Sequence, residues 1–342
     1  MSLQPLNVVS GLRGDPTLSA TEPKVVAVGG GHGLAATLRA TRTYAGLITA
    51  VVTVADDGGS TGRLRAAGDR PAPGDLRTCL VALADESSPL ARAMDYRFVA
   101  GELDGHAFGN LLIVALEETQ GDLVAALDQV GQLLGAVGRV LPATREAVTL
   151  RAAIRSGDVV QGEQAVGSQS DVSRVSLFPA EAKASPEAVQ AILEADQILL
   201  GPGSLYTSVL AATAVSGIAQ ALQQATGQFV YVCNLNPQVP ETVGYSVADH
   251  VRALKRHGLS PDVVLYHADW HSSDSLGPSA ADHGADTEDN TRRELGELTD
   301  ARFVSAVLAS QSGTAHDPAL LGEALARLAA DARMSSSPAS SS

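Results

Sequence analysis

Cysteine, positive charge and long apolar runs are all scarce in this 342-residue sequence. The two cysteines, Cys79 and Cys233, lie far apart and form no metal-type pair, so we expect a reducing compartment and no disulfide. The chain has only 24 lysines and arginines against 38 aspartates and glutamates. The resulting net charge of −14 argues against binding to nucleic acid or to an anionic membrane surface. No apolar run approaches the ~20 residues of a membrane span, and residues 1–22 lack the pattern of an export signal. We therefore expect a cytoplasmic protein without a membrane span, in which any phosphate is bound locally.

The remaining composition is that of an ordinary globular protein, with 45% hydrophobic and 18% charged residues. We predict a single nucleotide-binding domain over residues 23–331. A flexible N-terminal arm, 1–22, is expected before it, because glycines and a proline break any pattern there. A disordered, serine-rich tail, 332–342, is expected after it.

Two segments inside this domain depart from its main pattern. Residues 140–178 alternate in short apolar stretches around a turn at 157–158, which predicts a small antiparallel, strand-rich insertion. Residues 268–299 are polar and acidic, which predicts a mobile loop. Their histidines and aspartates have no fixed ligand spacing, so we predict no metal site.

The first candidate for function is a glycine turn between a strand and a helix. An apolar run over 25–28 stops at the turn 29–33 (GGGHG), a helical pattern follows, and a second apolar run ends at Asp56 and Asp57. Glycines let backbone N–H groups and the positive helix end approach a phosphate, and an acid after the second strand often binds a ribose hydroxyl. A strict G-x-G-x-x-G pattern needs glycine where this chain has Leu34. The unit predicts a nucleotide cradle, and a turn that only starts a helix is the alternative.

A long loop rich in glycine and arginine follows, from Asp56 to Asp75. A loop of this length in a compact domain is more often functional than idle. Its Ser60, Thr61 and arginines offer hydroxyl donors and cationic forks for phosphate or carboxylate, and a solvated surface loop is the alternative. Asp75 is a predicted N-cap for the next helix, and Asn110, at the head of a later apolar helix, can cap that helix or bind a ligand.

The second candidate repeats the logic of the first. The apolar strand 197–200 leads into the turn 201–204 (GPGS) and a further helix. Asn234 follows the next predicted strand, at the edge where doubly wound sheets bind ligands. Tyr245, in front of a helix, is either a stacking partner for a base or sugar or a core anchor. A repeat of this unit is much harder to explain by chance than a single occurrence.

These residues carry a resemblance to a known family. Eight sequence blocks occur in the same order as in the CofD/YvcK family, and they match its YvcK branch in particular. The blocks are VGGGHGL, TVADDGGSTGRLR, PGDLRTCLVALA, GHAFGNLL, GRVLPAT, GPGSLYTS, VCNLNPQVPETVGYSVADHV and HDPALL. The blocks cover roughly residues 24–330, apart from the acidic loop. The sequence therefore resembles this family over most of its length.

The resemblance implies an α/β fold, a Rossmann-like, doubly wound and mostly parallel sheet with one ligand cleft along the strand ends. It also implies a cytoplasmic protein that binds UDP-N-acetylglucosamine or a related nucleotide sugar and requires no cofactor. Such proteins act in gluconeogenic growth, peptidoglycan synthesis and cell shape, which implies a cell-wall or regulatory protein as partner; a homo-oligomer stays open. The alternative is the CofD-like branch, a magnesium-dependent phospholactyl transferase with a nucleotide-activated donor, in which Asp56 and Asp57 would be the catalytic candidates.

The expected ligand-binding residues follow from the two turns and the resemblance together. The glycine turns would hold phosphates, and the polar residues after the strands would bind sugar or base. The full set is Gly29, Gly30, Gly31, His32, Gly33, Leu34, Asp56, Asp57, Gly58, Gly59, Ser60, Arg63, Asp75, Arg77, Asn110, Gly201, Pro202, Gly203, Ser204, Asn234, Thr242 and Tyr245.

Two positions depart from the family pattern. His32 stands where many members have threonine, so a ring N–H would replace a hydroxyl contact to phosphate. Ala315 stands where members often place arginine, and Pro318 replaces a threonine that could be phosphorylated. We therefore expect ligand affinity or its regulation to differ in this chain.

Overall fold

The structure is a computed structural model, and it describes residues 22–68, 70–85, 87–268, 299–310 and 312–336. Almost all of the predicted N-terminal arm and acidic loop, and the end of the predicted tail, lie outside the described residues. The last helix runs on to Ser336, so the prediction of disorder from residue 332 onward is wrong for 332–336.

Seven strands pair in parallel into one main sheet, which confirms the predicted doubly wound architecture. The central strands are buried almost throughout, as expected for a parallel sheet covered by helices. The strands are β1 (Lys24–Gly29), β2 (Leu47–Val52), β3 (Arg139–Pro142), β7 (Gln197–Leu200), β8 (Gln228–Val232), β9 (Val263–His267) and β10 (Arg302–Ala306). They lie in the order β10-β9-β8-β7-β1-β2-β3.

A separate antiparallel sheet confirms the predicted insertion. It consists of β4 (Thr149–Ile154), β5 (Val159–Gln161) and β6 (Val172–Phe178), with β4 in the middle. The predicted turn at 157–158 joins β4 to β5. The predicted start of the insertion at residue 140 is too early, because 140–142 belong to β3 of the main sheet.

The helices connect and flank the strands of the main sheet. A short 3₁₀ turn covers Gly101–Leu103, and a π-helical turn covers Leu205–Val209. The α-helices are α1 (Gly31–Thr41), α2 (Gly59–Ala67), α3 (Gly74–Leu83), α4 (Pro89–Met94), α5 (Phe108–Gln120), α6 (Leu123–Leu134), α7 (Glu163–Gly167), α8 (Pro186–Leu193), α9 (Leu210–Thr213), α10 (Ser216–Gln224), α11 (Val247–Arg256) and α12 (Pro318–Ser336).

Two predictions about the segment 56–75 are wrong. The segment is not one loop, because helix α2 occupies its middle; the frequent glycines hid the helix-forming run RLRAA. Asp75 is not an N-cap either, because helix α3 already begins at Gly74, after Pro73 in the N-cap position. Asp75 thus lies within the first helical turn, and its side chain is free to face a neighbouring helix.

The main sheet and the helices around it bury one continuous apolar core. Within the described ranges, no single helix is both long and apolar enough to cross a membrane, although one bent pair, Leu205–Thr213 with Ser216–Gln224, meets the length and composition test jointly.

Candidate functional site

The two glycine turns meet at the carboxyl edge of the main sheet. β1 and β7 are parallel neighbours, and the sheet grows from this pair through β2 and β3 on one side and through β8, β9 and β10 on the other. Such a reversal of strand order opens a crevice outside the strand ends, which is where doubly wound proteins bind ligands. The turn 29–33 follows β1 and the turn 201–204 follows β7, so both border this crevice.

Close backbone contact holds the two turns together. A Cβ atom added at Gly33 would lie 2.3 Å from the carbonyl oxygen of Pro202, so this position has room for glycine alone. The buried hydroxyl of Thr37, one helical turn further on, donates a 2.9 Å hydrogen bond to the carbonyl oxygen of Gly201. The floor of the crevice is therefore a single packed unit of both turns.

Helix α1 presents its N-terminus to the crevice. The first N–H groups of a helix have no acceptor within it and carry the positive end of its dipole. The carboxylate of Asp75 accepts one of them, from Gly31. Burial, and then the negative charge of Asp56, raises the pKa of Asp75 to about 6. The rest of this N-terminus is the arrangement that binds phosphate in other α/β proteins.

The second turn is built differently from the first. One carboxylate oxygen of buried Glu241 accepts the N–H groups of Tyr206 and Thr207, at 3.2 and 3.1 Å, where the π-helical turn begins. Asn234 holds the turn itself, because its side-chain amide accepts the N–H and donates to the carbonyl oxygen of Gly203, both at 2.9 Å. The two helix ends therefore differ in degree: Asp75 accepts the N–H of Gly31 at the first turn, whereas Glu241 accepts the N–H groups of both Tyr206 and Thr207 at the second.

A cavity of about 590 Å³ fills the crevice. Ten of the residues predicted for ligand binding line its wall, and they come from both turns, from the loop after β2, from α3 and from the end of β8. They are Gly30, Gly31, His32, Gly33, Asp56, Asp75, Pro202, Gly203, Ser204 and Asn234.

Other lining residues were missed by the sequence analysis. A few follow predicted motifs directly and could have been found by extending them: Thr53, Thr207, Ser208, Leu235, Asn236, Pro237 and Gln238. Ala36 lies one turn into α1, and Glu163 comes from the insertion. The segment Thr314, Ala315 and His316 closes the wall from far along the chain; two of its residues were noted only as part of a family pattern.

Asp57 is a predicted site residue that faces away from the cavity wall. One of its carboxylate oxygens accepts the N–H of Glu163 at 3.0 Å, and the other accepts the N–H of Gln164 at 3.2 Å. These are the first N–H groups of helix α7, so Asp57 caps that helix from another part of the chain. It ties the small sheet to the main sheet beside the cavity.

Three residues predicted for ligand binding form a hydrogen-bonded cluster outside the cavity wall: Arg77, Asn110 and Ser60. The Nε of Arg77 donates to the Oδ1 of Asn110 at 3.1 Å, and the Nδ2 of Asn110 donates to the hydroxyl of Ser60 at 3.4 Å. Arg77 also pairs with Asp95. Arg63 donates to a main-chain carbonyl oxygen at 2.6 Å rather than facing the cavity. Gly58 and Gly59, at the start of α2, are likewise absent from the lining.

The other predicted residues lie behind the wall, in the core. Tyr245 is 8% exposed, and its hydroxyl lies 2.8 Å from that of Tyr206. The two rings also meet edge to face, with centroids 6.4 Å apart, so the structure places Tyr245 as a core anchor. Buried Thr242 bonds to the backbone of Gln238, which does line the cavity. Gly29, Leu34 and Gly201 are buried beneath the two turns.

The charges on the cavity wall are of one sign. Within the described ranges, Asp56, Asp75 and Glu163 line it together with two histidines, and no lysine or arginine does. Burial lowers the pKa of His316 to about 4, so this ring is neutral at pH 7. No group of three or more histidine, cysteine, aspartate or glutamate side chains in the described chain is arranged to hold a metal ion.

The fold and the crevice define a Rossmann-like α/β protein with a ligand cavity at the point where its strand order reverses. Comparison with known proteins gives the family. Residues 25–301 match the CofD family, which is described as 2-phospho-L-lactate transferase CofD. The chain belongs to the CofD family.

Relatives of known name lie within the branch suggested by the sequence motifs. A protein of Bacillus subtilis named gluconeogenesis factor is 42% identical over 69% of this chain and 75% of its own length. A relative from Nostoc sp. is 45% identical over 74% of this chain, which spans 57% of that protein. A crystal structure of a UPF0052 family member from Bacillus halodurans has a TM-score of 0.80 and 35% identity, over 90% of this chain and 99% of the other. The predicted CofD/YvcK membership is therefore confirmed.

Proposed function

We propose that this chain binds a nucleotide sugar, UDP-N-acetylglucosamine foremost, in the crevice between β1 and β7. We further propose that it acts in the cytoplasm as a regulator that links gluconeogenic carbon status to cell-wall synthesis and cell shape through a protein partner. The single observation that carries the proposal is the cavity of about 590 Å³ between the two glycine turns. The metabolic part draws on the relatives named gluconeogenesis factor.

The size and lining of the cavity suit such a ligand. Its volume lies in the range of sites for drug-sized molecules, roughly 300–1,000 Å³. The N-terminus of α1 suits a diphosphate. The hydroxyl and amide side chains of Ser204, Ser208, Asn236 and Gln238 also line the cavity and suit the hydroxyls and carbonyls of a sugar or a base. We place the diphosphate at the first turn and the sugar and base toward the second turn. The ligand then contacts both the N-terminus of α1 and the polar side chains of the cavity.

A transferase is the second candidate, and one observation favours it: the description of the family. Magnesium prefers oxygen ligands such as the carboxylates of Asp56 and Asp75. Both carboxylate oxygens of Asp57, however, accept N–H groups of α7, and the described chain assembles no group of three metal-binding side chains. These residues do not fit a magnesium centre, so we favour ligand binding over group transfer.

Calorimetric titration with UDP-N-acetylglucosamine, with and without magnesium, tests the proposal. We expect micromolar binding that needs no magnesium and is abolished in Ala36→Phe, which fills the cavity from helix α1. The matched control is Ala115→Phe, an exposed position on helix α5, which should bind like the wild type. An absence of binding would contradict the proposal, and turnover of a nucleotide-activated donor would favour the transferase.

A further inference from the structure

Glu163 reaches the cavity from the small antiparallel sheet rather than from the main sheet. It is the first residue of α7, directly after Gly162, and the two hydrogen bonds that the backbone N–H groups of Glu163 and Gln164 donate to Asp57 fix this start. A Cβ atom added at Gly162 would lie 2.5 Å from the Oδ2 of Asp57, so the chain passes very close to that carboxylate. The position of Glu163 on the wall therefore depends on Asp57.

The side chain of Glu163 is surrounded by four other carboxyl groups. The carboxyl groups around it are Asp56 and Asp57 from the loop after β2, Asp75 from α3 and Glu241 from the loop before α11. Burial, and then these four acids, raises the pKa of Glu163 to about 7. His32 and His316 also line the cavity, and no lysine or arginine is present among the described lining residues.

A diphosphate that enters this cavity adds negative charge where no cationic side chain lines the wall. An added negative charge close to a carboxyl group raises its pKa further, because like charges disfavour ionisation. A protonated carboxyl group is also a hydrogen-bond donor, so it can bind a phosphate oxygen that an ionised one would repel. The pKa of Glu163, about 7, lies above that of Asp75, about 6, so proton uptake at neutral pH costs less on Glu163 than on Asp75.

We propose that Glu163 is a ligand-binding residue of this cavity, which takes up a proton from solvent and donates it in a hydrogen bond to the ligand diphosphate. Asp57 is its positioning residue. The inference rests on the proposed function, since it needs an anionic ligand. No covalent bond changes: one proton moves from solvent to the carboxylate when the ligand binds and returns when it leaves.

Calorimetry in buffers of different ionisation enthalpy measures this proton directly. UDP-N-acetylglucosamine is a suitable probe, because its diphosphate is esterified at both ends and has no proton that titrates near neutral pH. With a chelator present at pH 7.5, we expect uptake of between about one half and three quarters of a proton per ligand, because about a quarter of Glu163 is already protonated. Affinity should fall by up to about tenfold from pH 7.5 to pH 8.5.

Glu163→Gln separates this role from a structural one, since glutamine resembles the protonated acid. We expect its proton uptake to vanish, and its affinity at pH 8.5 to exceed that of the wild type by roughly 7- to 30-fold. Glu181→Gln, at an exposed position outside the cavity lining, is the matched control and should behave like the wild type. Asp57→Ala should reduce both affinity and proton uptake, and Asp57→Asn should restore part of each, because its amide oxygen still accepts a hydrogen bond.

The outcomes separate the inference from the function on which it rests. Binding heat that does not depend on the buffer would overturn the inference and leave the proposed function standing. Uptake that persists in Glu163→Gln would assign the proton to another group and would also overturn it. Binding that occurs only with magnesium would show that a metal, rather than a proton, offsets the charge. An absence of heat in every buffer would contradict the function and the inference together.

Discussion

The hydroxyl of Thr37 donates a 2.9 Å hydrogen bond to the carbonyl oxygen of Gly201, and so joins the helix of the first glycine turn to the second glycine turn. The two residues are 164 positions apart, and Thr37 is fully buried. Because the two turns form the floor of the cavity, this contact fixes the spacing of two halves that are distant in the chain. The stability of the fold and the shape of the cavity are thus coupled at one point.

Thr37→Val tests this coupling, because valine keeps the shape and removes the donor. We expect a loss of about 1–3 kcal/mol in unfolding free energy, since the buried carbonyl oxygen of Gly201 loses its partner. Denaturant unfolding measures the loss. Thr37→Ser keeps the hydroxyl and should lose less, so equal losses in the two variants would assign the effect to packing.

Gly31→Ala tests the N-terminus of α1. Gly31 has a φ of +63°, and an added methyl group would lie 3.9 Å from the hydroxyl oxygen of Ser208, which lines the same cavity. Gly121 has a φ of +74° with open space around it, at the end of α5. Alanine at either position should cost about 1–2 kcal/mol of stability.

Only the Gly31 variant should also lose affinity for the nucleotide sugar. We expect a loss of about tenfold or more, because the methyl group enters the cavity and the strain shifts the N–H groups of α1. Calorimetry on both variants measures it. A similar loss in Gly121→Ala would show that general destabilisation, and not the site, is responsible.

Tyr245→Phe separates a core anchor from a ligand contact. The variant removes the hydroxyl bond to Tyr206, and we expect a loss of about 1 kcal/mol in stability with an unchanged affinity for the nucleotide sugar. Tyr206→Phe breaks the same bond, so the double variant should lose less than the sum of the two. A loss of affinity in Tyr245→Phe alone would place its hydroxyl against the ligand.

The parts of this fold that could be predicted from sequence are those determined by residues that are neighbours in the chain. The strand 197–200 has the expected bounds, because a buried parallel strand is a nearly continuous apolar run. The glycine turns were visible because close backbone approach demands glycine wherever it occurs. The crevice itself was expected at the strand ends on the same grounds.

The other residues of the site are placed by contacts between distant parts of the chain, which no local sequence pattern indicates. Glu163 reaches the cavity through a cap supplied by Asp57, 106 residues earlier, and no spacing or periodicity reports such a contact. Asp75 has the residue type of an N-cap, but the helix begins one residue before it, and tertiary contact turns its carboxylate toward Gly31. Glu241, which occupies the helix end at the second turn, comes 34 residues after Thr207, whose N–H it accepts.

Asp75 gives the last prediction, on the pH dependence of stability. Its pKa is about 6 in the folded protein and 3.8 when unperturbed, with burial as the main cause. Between these values the folded state binds more protons than the unfolded state, so this group's contribution to stability is present below pH 4 and is lost as the pH rises through about 6.

Asp75→Asn removes that penalty and keeps an acceptor for the N–H of Gly31. We expect the variant to be more stable than the wild type at pH 7.5 by up to about 3 kcal/mol, and by much less at pH 4. Urea unfolding of both proteins at the two pH values measures the difference, with the exposed turn residue Asp158→Asn as the control for removing one charge. If the gain were equal at both pH values, burial of an ionised Asp75 would not be its cause.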